Sequence, residues 1–140
     1  MNDGTDITVI ACGSCVFEAM QAARIAKADG GLSVRVINMH TIKPIDREAV
    51  LKAVAETRRI ITVEDHEVMG GLGSAVAEVV AESGKGCAFK MLGHQNAFST
   101  IGLQEDLLAL AKIDANGIAE TIQEMMHADF EADDDWADEF

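Results

Sequence analysis

Ile60-Ile61-Thr62-Val63-Glu64-Asp65-His66 is followed, three residues on, by Gly70-Gly71-Leu72-Gly73-Ser74. The β-branched run Ile60 to Val63 predicts a short buried strand, and Glu64-Asp65-His66 closes it with polar groups. The glycines then lead into a helix whose inward stripe is Leu72, Val76, Val79 and Val80, ended by Gly84 and Gly86. One strand, one glycine-bearing turn and one helix make half of a repeating α/β pattern.

The same pattern extends in both directions. Upstream, Ile7 to Cys12 predicts a buried strand, and Gly13-Ser14 turns it into a helix carrying Val16, Met20 and Ala23, stopped by Asp29-Gly30-Gly31. Leu32 to Ile37 predicts a second strand. Pro44, the only proline, keeps His40-Thr41-Ile42-Lys43 extended or turning. Asp46 caps the next helix, which turns Val50, Leu51 and Val54 inward and ends at Arg58 and Arg59. Downstream, Cys87 to Leu92 predicts a strand and Gly93 to Gly102 an irregular segment. Leu103, Leu107 and Leu110 mark a short helix. Asp114 caps a last helix with Ile118, Ile122, Met125 and Met126 on one stripe. Strands alternating with helices pair in parallel through right-handed crossovers. The expected fold is a three-layer α/β sandwich: a small, mostly parallel sheet of about five strands with helices on both faces.

The totals agree with one domain. The 140 residues are about half apolar, enough for a sizeable core. With 11 Lys and Arg against 24 Asp and Glu, the net charge is -13. Such a balance argues against nucleic acid and anionic membrane surfaces as partners. No apolar run reaches the roughly 18 residues that span a bilayer. The start, Met1 to Asp6, lacks the features of a signal peptide, so the expected compartment is the cytoplasm. Seven acids fall between Asp129 and Glu139 with no base among them. Residues 1–127 are expected to form the domain and 128–140 an acidic, disordered tail.

In open α/β sheets, ligands sit beyond the carboxyl ends of the strands. Three polar clusters fall there. Cys12-Gly13-Ser14-Cys15 is a C-x-x-C at a strand-to-helix turn, where a helix N-terminus can activate a thiol. The competing reading is two small, half-buried residues, and no proline suits a thioredoxin fold. Glu64, Asp65 and His66 carry acid–base and metal-ligating chemistry. Yet neighbours in sequence do not converge from one element, and His40 and His94 would have to come from other loops, so no metal site is assigned and solvated or interface-forming loop ends are favoured. Gly70, Gly71, Gly73 and Ser74 at a helix start, with Lys43, could hold an anion through free amides, or could simply allow tight packing at an interface. The loop has neither the P-loop nor the G-x-G-x-x-G pattern.

Taken together and in order, these clusters resemble one family. Val36-Ile37-Asn38-Met39-His40-Thr41-Ile42-Lys43-Pro44-Ile45-Asp46 looks like the strand-to-helix signature of transketolase C-terminal domains. Ile60 to His66 with Gly70 to Glu78 is similar to that family's second signature. Val9 to Ser14 matches its opening strand and Gly-Ser turn, and Asp114 to Ile118 its final helix start. The resemblance runs from about Ile7 to about Met126. Gly93-His94-Gln95-Asn96-Ala97-Phe98 departs from it, lacking the acidic residue expected near Gln95 or Asn96, and the cysteines at 12 and 15 are unusual.

The resemblance implies a support and dimerisation domain with no catalytic residue of its own. The parent enzyme would transfer a two-carbon ketol unit between sugar phosphates with thiamine diphosphate and Mg²⁺. Its pyrimidine- and diphosphate-binding domains or subunits, which hold that cofactor, would be the partners of this chain. The chain alone is expected to be inactive and to form a homodimer through an exposed apolar patch. Related alternatives are 1-deoxyxylulose-5-phosphate synthase and the β-subunit of a 2-oxoacid dehydrogenase. Two others are a stand-alone regulatory module for anions or sugar phosphates and a thiol oxidoreductase.

Overall fold

The computed structural model describes residues 3–128. The acidic stretch expected to form a tail lies, from Asp129 on, outside the described residues. The elements run β1 (Ile7–Ala11), α1 (Cys15–Gly30), β2 (Val34–Asn38), α2 (Arg47–Glu56), β3 (Arg59–Glu67), α3 (Leu72–Glu82), β4 (Ala88–His94), α4 (Gln104–Leu110) and α5 (Ala115–His127).

All strand pairs are parallel, in the order β2-β1-β3-β4. The register sets Val9 beside Val36 on one side and Ile61 on the other. Alternate residues therefore build two cores. Ile7, Val9, Val36, Ile61 and Val63 pack under α1 and α5, where Ala19, Ala22, Ala23 and Ala26 meet Ile118, Ile122 and Met125. Ile10 and Ile60 pack under α2 and α3 against Val50, Val54, Leu72, Val76 and Val79. Each large aliphatic side chain removed from water contributes about 1.5–3 kcal/mol. The result is the expected three-layer sandwich. Among the described residues the sheet has four strands, one fewer than about five. After β4 the chain turns into two helices instead of returning to pair with its outer edge.

Local signals place the ends of the elements. Asp46 Oδ1 accepts a hydrogen bond from the Ala49 amide at 3.0 Å, and Asp114 Oδ1 from the Gly117 amide at 3.1 Å, so both aspartates cap the helices they precede. Gly31 closes α1 in the left-handed region, with φ 68°. Leu51 departs from expectation: it is exposed, because α2 buries only the narrower stripe Val50, Ala53 and Val54. β3 runs four residues past Val63 to Glu67, carried across a register irregularity opposite β4. Among the described residues no helix is long and apolar enough to cross a membrane.

Candidate functional site

With every strand parallel, all four carboxyl ends open on one edge, and the three polar clusters meet there. The chain turns one way from β1 to β2 and the other way to β3 and β4, so the fold's switch point lies between β1 and β3. Glu64 stands at this point, and it is not a solvated loop end. Its side chain is buried, and its carboxylate accepts hydrogen bonds from the Leu72 amide (2.7 Å) and the Gly73 amide (2.8 Å). A buried carboxylate thus caps the first turn of α3, where free N–H groups and the helix dipole favour negative charge.

The glycines exist for this contact. A Cβ on Gly71 would collide with the Glu64 carboxylate, and one on Gly73 would lie 2.7 Å from Met91 Sδ and 2.9 Å from Thr62 Oγ1. Ser74 completes the turn: its Oγ accepts from the Gly70 amide at 2.8 Å and donates to the Val68 carbonyl at 3.2 Å. The amides of Gly70, Leu72 and Gly73 are therefore all engaged within the chain. Lys43, on the loop after β2, is exposed and has no side-chain partner among the described residues.

The remaining candidates sit at the surface of the same edge. His40 Nδ1 shares a hydrogen bond with Thr41 Oγ1 (2.8 Å), and His66 Nδ1 donates to the Glu67 carbonyl (2.9 Å). Asp65 accepts from His94 Nε2 at 2.8 Å, which ties the end of β3 to the end of β4. Sequence reasoning left His94 on a loop apart from Asp65, because their contact depends on β3 and β4 being neighbours. Among the described residues, no three His, Cys, Asp or Glu side chains are grouped to hold a metal ion. Cys15 is buried at the start of α1, and burial, aided by the nearby Asp65 charge, pushes its thiol up to about 12. Burial and Glu64 raise Cys12 as well. Both shifts oppose the thiolate that disulfide chemistry needs.

Apolar side chains crown this edge. Phe17 follows β1, Ile42 follows β2, Met69 follows β3, and Phe98, Ile101 and Leu103 follow β4; all are exposed, Phe98 and Ile101 fully. Beside them a hollow of about 510 Å³ lies between β4 and the α4–α5 region, lined in part by His94, Phe98, Leu107, Leu110 and Thr121. The expected stripe of α4 is correspondingly not a core: Leu103 and Leu110 are exposed, and α4 contributes no fully buried residue.

The description "Transketolase, C-terminal domain" matches residues 1–118. The chain belongs to the transketolase C-terminal domain family. A putative transketolase C-terminal section from Methanocaldococcus jannaschii is 41% identical over 124 residues, covering 89% of this chain and 38% of that protein. An apulose-4-phosphate transketolase subunit from Phocaeicola vulgatus is 39% identical over 124 residues, covering 89% and 39%. A 1-deoxy-D-xylulose-5-phosphate synthase from Halothermothrix orenii is 39% identical over 120 residues, 85% of this chain and 19% of the enzyme. Among solved structures, a split-gene transketolase described as an inactive β4 tetramer superposes with a TM-score of 0.83 at 33% identity, covering 89% of this chain and 40% of that one. The transketolase C-terminal domain thus accounts for nearly all of this chain, and the chain spans less than half the length of these relatives.

Proposed function

We propose that this chain is the assembly domain of a cytoplasmic transketolase-type enzyme, and that the carboxyl edge of its sheet is the docking face. The parent enzyme transfers a two-carbon ketol unit between sugar phosphates. Thiamine diphosphate and Mg²⁺ supply the carbanion chemistry from the partner domains or subunits. This chain does not fit that cofactor: the amides that could cradle a diphosphate are bonded to Glu64 and Ser74, and the described acids form no metal-binding group. No chemical step is assigned to it. Its own residues supply shape and apolar area.

The observation that carries this reading is the exposed crown of Phe17, Ile42, Met69, Phe98, Ile101 and Leu103 around a turn whose Gly70, Leu72 and Gly73 amides are paired within the chain. Clustered apolar side chains of this kind mark interaction surfaces. The same face, turned toward a second copy, accounts for the proposed homodimer, with His40, Asp65 and His66 as its polar rim. The match takes up only 38–40% of the split relatives' chains, so the pyrimidine- and diphosphate-binding sections are sought both on longer chains that carry this domain and on separate subunits.

The chain is tested first alone, with thiamine diphosphate, Mg²⁺ and a ketose-phosphate donor, and then together with those sections. No turnover alone and ketol transfer on reconstitution are expected; turnover by the chain alone sinks the idea. The similarity to 1-deoxy-D-xylulose-5-phosphate synthases makes formation of 1-deoxy-D-xylulose 5-phosphate the second activity to assay. That product without ketol transfer would assign the parent to the synthase branch.

A further inference from the structure

The opposite, amino edge of the sheet carries two arginines, Arg58 and Arg59, with no side-chain partner among the described residues. A hollow of about 370 Å³ lies between the end of α2 and the starts of β3 and β4, lined by Glu56, Thr57, Arg58, Arg59, Gly86 and Cys87 among others. Its volume falls within the roughly 300–1,000 Å³ typical of small-molecule pockets.

Arg58 occupies the position just past the C-cap of α2 with φ 55°. Glycine is the usual residue there, because a Cβ is strained in the left-handed region. The backbone is held in place: the Arg58 amide donates to the Ala53 carbonyl at 3.2 Å, and its carbonyl accepts from the Ala88 amide at 3.0 Å. A long cationic side chain is thus mounted where the fold would be more stable with none.

The charges around the hollow do not cancel. Among the described residues neither Arg58 nor Arg59 has a side-chain hydrogen bond or ion pair, and Arg59 Nε is buried without a partner. A buried donor left unmade is unfavourable; Arg35 Nε, in a side chain already paired with Glu56, is in the same state. Glu56, the acid lining the hollow, is bound to Arg35 instead. Two arginines without a side-chain partner among the described residues therefore line one cavity in a chain with 24 acids against 11 bases.

We propose that this hollow binds a small phosphoryl-bearing anion between the Arg58 and Arg59 guanidinium groups. Planar, five-donor guanidinium forks match phosphoryl oxygens in pairs. The site lies on the edge away from the docking face, so it stands or falls independently of the assembly reading.

Titration of the full chain with inorganic pyrophosphate, followed through amide chemical shifts, tests it. Saturable shifts are expected at residues 57–59 and 86–88. The double variant Arg58→Gln/Arg59→Gln should bind about tenfold more weakly or worse, the scale of losing hydrogen bonds to a charged group. Arg58→Gly separates binding from folding, since it should weaken binding while raising the melting temperature. No saturable shift at these amides, a response centred on Gly70 to Ser74, or undiminished affinity in either variant overturns the proposal. A lower melting temperature for Arg58→Gly removes the strain on which it partly rests.

Discussion

At the carboxyl edge of the sheet a buried carboxylate meets two helix amides, whereas at the amino edge two guanidinium groups have no partner among the described residues. In open α/β folds the carboxyl edge is where ligands are expected. Here Glu64 occupies from within the position an anion would take at α3, and what remains outside is the apolar crown with His40, Lys43, Asp65 and His66 around it. That edge suits a protein partner, and the amino edge suits a small ion. A ligand-binding edge is thus decided by which polar groups the fold has already paired, and topology alone does not settle it.

Breaking the internal pairing should have the largest effect. Glu64→Ala strands the buried Leu72 and Gly73 amides, and each unsatisfied group costs about 1–3 kcal/mol, so a loss of about 3 kcal/mol or more is expected in urea unfolding. A loss below about 1 kcal/mol would mean that water replaces the carboxylate, and that the α3 terminus is open to ligands after all.

Alkaline pH probes the same edge through Cys15. Its folded thiol titrates near 12 against an ordinary value of 9.0. The folded state therefore holds the proton more tightly than the unfolded chain. The stability tied to the neutral thiol is complete below about pH 9 and declines as pH rises from 9 toward 12. Urea midpoints of the parent between pH 8 and 10.5 should fall more steeply than those of Cys15→Ala. Parallel curves would mean that the thiol is solvated.

On the amino edge, Arg58→Gly should stabilise the chain by about 1 kcal/mol, the reverse of the usual outcome of a surface substitution. The smallest effect on folding belongs to the crown. Phe98→Ser with Ile101→Ser should change stability by less than about 0.5 kcal/mol, while sedimentation velocity shows weaker self-association. Unchanged association would move the dimer contact off this edge.

Much of this architecture was legible in the sequence, because side-chain periodicity reports burial. Each helix and strand placed by residue number is present, though the sheet has four strands among the described residues and not about five, and the Asp46 and Asp114 caps lie where short-range signals put them. The family signatures were legible for the same reason, being strand ends and helix starts in a set order. What periodicity misses are contacts between a side chain and distant backbone. Glu64 looked like the solvated end of a strand because its partners are amides eight and nine residues away, and amides leave no trace in a hydropathy pattern. The signal was indirect: glycine at 71, where no Cβ can fit beside the carboxylate. Glu18, whose Oε2 accepts from the Ala115 amide at 2.8 Å, hid for the same reason across 97 residues. Leu103 and Leu110 show the opposite limit: they mark the expected short helix, yet they are exposed. Their helical spacing is real, but the surface they would cover is not supplied by the described chain.

The pairing of α1 with α5 has a practical consequence. Both helices start together, Glu18 meeting Ala115, and run on together until Gly30 lies against Gln123. They therefore travel in the same direction, away from the carboxyl edge. Residues 4–6 likewise join the start of β2, where Thr5 and Asp6 bond Ser33. Both ends of the described chain consequently emerge on the side facing away from the crown. A fluorophore or affinity handle attached at either one can report on docking without standing in its way.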